Sequence, residues 1–91
     1  MRSYHRQSQR GVEAEIRADA FRRQMLEAKA PTTWRLMRAV RDALVDLPTG
    51  HPMLPQLEEL SMRLCLDAER GAEHSAESAA YVDGLIAKVK A

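Results

Sequence analysis

Aromatic residues are scarce in this chain: Tyr4, Phe21, Trp34 and Tyr81 are the only four among 91 residues. Strands draw heavily on aromatic side chains, so the shortage argues against a β-sandwich or barrel. Cysteine is scarcer still. With Cys65 alone, no disulfide can form within the chain, which suits a reducing compartment. No apolar run approaches the roughly 20 residues needed to cross a bilayer. The stretch Met1-Arg2-Ser3-Tyr4-His5-Arg6 is not followed by an apolar h-region, so no secretory signal is expected. The expected location is the cytoplasm. Lysine is rare beside arginine, 3 against 11, which points to a GC-rich genome and hence a bacterium or its phage.

The rest of the composition is rich in Ala, Leu, Arg, Glu and Met, all good helix formers. The expected fold is all-α, a small bundle of about four helices forming one domain over residues 11–91. Residues 1–10 are polar and basic and lack periodicity, and they read as a flexible arm. A chain of this size buries only about 60–65% of its unfolded surface, so homodimerisation is an expected way to complete the core. Charge is polarised: residues 1–45 carry ten basic against five acidic side chains, residues 46–91 four against eight. Such halves can pair within a chain or between copies, or present a basic surface to an acidic partner.

Apolar spacing places the first helix over about Val12 to Ala28. Ala14, Ala18, Phe21, Met25 and Ala28 form one stripe, with Val12 and Ile16 nearly opposite. A helix with two apolar sides touches two neighbours. Pro31 interrupts it, and Thr32 and Thr33 are suited to cap the next helix. That second helix is expected over Thr33 to Leu47, with Trp34, Met37, Val40, Leu44 and Leu47 as its stripe and Arg38–Asp42 as an i,i+4 pair. Pro48, Gly50, Pro52 and Pro55 make the segment after it a loop. The third helix is expected from Pro55 to about Arg70, with Leu57, Leu60, Leu64 and Ala68 inward and Met62 and Leu66 outside that stripe. Gly71 either caps it or is passed through, and a fourth helix is expected over Ala72 to Lys90.

No constellation for chemistry emerges. His5, His51, Cys65 and His74 lack the paired spacing of a metal site, so no metal or cofactor is expected. Cys65 sits beside an apolar stripe, where a thiol behaves as a small hydrophobe. Glu58 and Glu59 suit a helix N-terminus. Glycines 11, 50, 71 and 84 are scattered and form no phosphate loop. The chain is not expected to be an enzyme.

The favoured reading is a non-enzymatic regulator that binds another protein, with Trp34, Leu36, Met37, Met62 and Leu66 as partner-binding candidates. A nucleic-acid reader is the alternative, using the Thr32–Arg41 helix with Arg35, Arg38 and Arg41 towards DNA or RNA. A secretion or assembly chaperone is the third. In length, helicity and composition over roughly residues 12–90, the chain resembles the small bacterial antiactivators that bind LuxR-type quorum-sensing regulators. The resemblance implies a dimer that occludes a transcription factor's ligand-binding or dimerisation surface. It carries no residue-level roles.

Overall fold

The computed structural model describes residues 2–91, with side-chain surroundings from Arg10 onward. Four helices and no strand occur among the described residues: α1 (Arg2–Lys29), α2 (Pro31–Asp46), α3 (Leu54–Glu69) and α4 (Ala76–Lys90). The all-α expectation holds. α2 is the central element, packing on both α3 and α4, while α1 lies against α2 and α3.

The core follows the apolar stripes. Leu36, Met37, Val40 and Ala43 of α2 meet Leu57, Leu64 and Ala68 of α3 and Ala79, Val82 and Ile86 of α4. Leu36, Leu57, Leu64 and Val40 are fully enclosed. Trp34, Leu44, Leu47, Leu60 and Cys65 are partly buried around this cluster. Leu36 and Met37, expected on a partner surface, are therefore core residues. Leu36 flanks the Trp34–Met37–Val40 stripe, and two neighbours, α3 and α4, cover α2 on a wider arc than one would.

Three boundaries differ from expectation. α1 begins at Arg2 instead of near Val12, so the backbone of the expected arm is helical from residue 2; nothing in residues 2–10 breaks a helix, and polar helix formers need no apolar stripe to continue one. α2 starts at Pro31, two residues early, because proline lacks an amide hydrogen that the first turn does not use. α4 starts at Ala76, not Ala72. Gly71 adopts φ +68°, a left-handed conformation that ends α3, and Ser75 caps α4 by accepting the Ser78 amide at 3.1 Å.

At 28 residues α1 is about 42 Å long, against 16 residues in α2 and α3. The molecule is correspondingly elongated, 57 × 31 × 16 Å. Every residue of α1 from Arg10 to Asp19 is exposed. No helix among the described residues is long and apolar enough to cross a membrane.

Candidate functional site

Trp34 sits in the first turns of α2, where α1 turns back over it. Its ring supports the Arg38 guanidinium, 5.7 Å from the ring centroid, and Arg38 in turn pairs with Glu27 of α1. The expected Arg38–Asp42 pair is thus replaced by one across the helices, since Arg38 reaches an acceptor and an aromatic face together. The Trp34 indole nitrogen is buried and has no hydrogen-bond partner among the described residues. Donors of this kind are rare in folded proteins, and each has a cost.

Around Trp34 an open cleft of about 500 Å³ lies between α1 and the α2–α3 pair. Ala20, Gln24 and Glu27 form one wall, Met37, Arg38 and Arg41 the floor, and Cys65, Ala68 and Glu69 the far side. A second hollow of about 580 Å³ continues past Trp34 towards Arg22, Arg23 and Leu26. The lining is mixed, with apolar patches between arginines and carboxylates. Such a lining suits an amphipathic segment with polar flanks.

The expected partner residues divide. Trp34 lines the cleft, Met62 and Leu66 are 67% and 54% exposed on α3, and Leu36 and Met37 are enclosed in the core, with only Met37 reaching the cleft floor. The arginines of the nucleic-acid reading divide as well. Arg35 is bidentate to Asp83 of α4, at 3.2 and 3.1 Å, a hydrogen bond that raises its pKa above the ordinary arginine value. Arg38 is held by Glu27 and Trp34. Arg41 is exposed at the cleft edge.

Sequence reasoning missed a polar lock at the N-terminal end of α2. Thr33, fully buried, donates its hydroxyl to the Ala72 carbonyl at 2.6 Å and accepts the His74 amide at 2.9 Å. Glu73 accepts the Thr33 and Thr32 amides at 2.9 and 3.1 Å. Burial works to raise the Glu73 pKa, but these hydrogen bonds outweigh it and hold the carboxyl below its usual range. His74 links Asp67, 2.8 Å from Nε2, to Ser78, 2.7 Å from Nδ1. This trio has the composition of a hydrolytic triad, yet the ring is reversed: the carboxylate takes Nε2 and the hydroxyl Nδ1, and Asp67 also pairs with Arg70. Its evident work is to close the α3–α4 turn. Pairing over 40 residues leaves no local sequence signal, although Thr33 and Ser75 are both of a type suited to capping.

His51 is a loop residue whose Nδ1 accepts the Met53 amide at 3.1 Å. Among the described residues no group of three His, Cys, Asp or Glu is placed to hold a metal ion. No protein family, curated protein or solved structure matches this chain.

Proposed function

We propose that the chain is a non-enzymatic regulator that acts by protein–protein contact as a homodimer, taking a helical segment of another protein into the cleft around Trp34. A transcription factor held in this way, as an antiactivator holds its target, is the form of regulation we favour. The observation that carries contact with another protein is that six large apolar side chains, Val12, Ile16, Phe21, Met25, Met62 and Leu66, stand more than half exposed on α1 and α3, outside the cleft; the mixed lining around Trp34 is what favours the cleft as the place of contact. Isolated exposed hydrophobics are ordinary, but four on α1 and two on α3 together mark an interaction surface.

The nucleic-acid reading draws less support, because Arg35 and Arg38 are engaged with Asp83 and Glu27. Trp34 is the chain's single tryptophan, so its fluorescence reports on the cleft directly. The test is affinity capture from the native host, identification of the bound protein, and titration of that purified protein against Trp34 emission. A saturating blue shift, with capture lost in Trp34→Ala, is expected. Capture that Trp34→Ala leaves unchanged, with no emission change, would sink the cleft as the binding site.

A further inference from the structure

α1 is fastened to the rest of the molecule near its C-terminal end. The buried core is drawn from α2, α3 and α4, and among the described residues no side chain of α1 belongs to it. From Arg10 to Lys29 only Ala20, Leu26 and Glu27 are half-buried, and all the others are exposed. Ala20 is part of the cleft wall. The firmer attachments lie in the last turn. Leu26 and Lys29 pass over Gly71, where a Cβ would come within 3.4 Å of Leu26 Cδ2 and 2.8 Å of Lys29 Cδ. Glu27 pairs with Arg38, and the fully buried Ala30 follows.

Ala30 is the single residue between α1 and α2, and its φ of −134° and ψ of 62° are not helical. Pro31 beside it has no amide hydrogen, so the helical ladder is interrupted at that point. A short element-terminal break of this kind can absorb a change of angle between two rigid helices. Elements with few buried apolar contacts are also the ones that open at least cost. The Glu27–Arg38 pair is reached by water on both sides, and exposed pairs of this type are weak. Because Arg38 also rests on the Trp34 ring, the pair ties α1 to the cleft.

We infer that α1 is a hinged lid on the Trp34 cleft. It swings about Ala30 between a position latched by Glu27 and Arg38 and an open one in which that pair is broken and the cleft is widened. Opening breaks no contact within the core, which is complete without α1. The inference rests on the cleft reading above for its use, and adds to it how access to the cleft is governed. The lever is long. Ala14 lies 16 residues before Ala30, about 24 Å at the helical rise, so a swing of about 15° carries it about 6 Å.

The test measures the distance from α1 to α3 in the full chain. Cys65→Ala removes the native thiol, and Ala14→Cys with Met62→Cys, both at exposed positions, take nitroxide spin labels. Circular dichroism checks native helicity, and dilution with unlabelled chain keeps each measured pair within one copy. Two separations are expected, latched and open. Glu27→Gln is expected to raise the open-to-latched ratio by about two- to fivefold, and salt raised from about 0.05 to 0.5 M is expected to act in the same direction. Leu26→Ala with Glu27→Gln, which loosens both attachments, is expected to make the longer separation the major one. One narrow separation, the same in both variants and at both salt concentrations, overturns the lid. That result leaves the cleft reading standing, because capture of a partner through Trp34 is measured separately. Loss of the cleft reading in turn leaves these distances as they are.

Discussion

Glu73 caps α2 from 40 residues away, its Oε1 accepting the Thr33 amide at 2.9 Å. An N-terminal cap is ordinarily the residue just before the helix, but here Ala30 fills that position and offers no side-chain hydrogen bond. The α3–α4 turn performs the task instead, and Thr33 returns two hydrogen bonds to that turn. Thr33→Val keeps the shape and removes the hydroxyl, leaving the part-buried Ala72 carbonyl and His74 amide without that partner. The expected cost is about 1–3 kcal/mol, read as a lower urea midpoint at unchanged slope. An unaltered midpoint would mean that the turn is not held by this residue.

The same turn makes the fold acid-sensitive. Asp67 is held below the usual carboxylate range by its hydrogen bond from Arg70 and then by that from His74, and Glu73 is lowered by the α2 amides. A carboxyl whose folded pKa is depressed contributes stability that is fully present above its unfolded value, about 3.9 for Asp and 4.3 for Glu. That contribution is lost as pH falls through the lower folded value. Denaturation followed at pH 7 and pH 3 should therefore show a smaller acid-induced loss in Asp67→Asn and Glu73→Gln than in the wild type, because each variant has already forfeited its part at pH 7. Equal losses in all three would contradict this linkage.

Two glycines should respond in opposite directions. Gly71 sits at φ +68°, and a Cβ there would lie 2.8 Å from Cδ of Lys29. The lysine side chain can swing away, so the backbone conformation sets the cost, about 1–2 kcal/mol for Gly71→Ala. Gly84 lies within α4, and a methyl group added there would meet nothing within 4 Å. Gly84→Ala should therefore stabilise by about 0.5–1 kcal/mol. Thermal melts of the pair, displaced to either side of the wild type, are the check.

Residues that repeat at helical spacing were the legible part of the sequence. The Trp34–Met37–Val40 and Leu57–Leu64–Ala68 stripes name the core faces of α2 and α3 almost residue for residue. Pro31, Gly71 and the prolines of the 48–55 loop mark the breaks. Position on a stripe does not say how many neighbours cover a helix, which is why Leu36, beside the stripe, and Met37, on it, read as partner contacts and are core. Nor does it show pairing at long range. The late start of α4 depends on Thr33 holding residues 72–74, and the charge partners of Arg35 and Arg38 lie on α4 and α1.

At Trp34 a stability cost can be measured apart from the proposed binding. Its buried N–H lacks an acceptor, a state that costs about 1–3 kcal/mol. Trp34→Phe removes the donor while keeping a ring beneath Arg38, so the isolated chain should be no less stable than the wild type. Trp34→Ala forfeits the ring as well and should lose about 3 kcal/mol, the lower end for a large aromatic because Trp34 is only partly buried. Urea denaturation of both variants decides: a Phe variant as weak as the Ala variant would show that the N–H is satisfied in solution.

The exposed face of α1 gives the sharpest separation between folding and association. Phe21 and Met25 are 64% and 59% exposed, so Phe21→Ser with Met25→Ser removes little that the monomer buries. Its stability at high dilution should stay within about 0.5 kcal/mol of the wild type. Leu64→Ala, at a fully enclosed position, should instead cost about 2–5 kcal/mol. Self-association should reverse that ranking, falling sharply in the α1 variant while Leu64→Ala retains it wherever the chain remains folded. Melts at two protein concentrations combine both readouts, since dimer formation makes the midpoint rise with concentration. The α1 variant should lose that rise, as expected of the proposed dimer if it packs on these two exposed side chains.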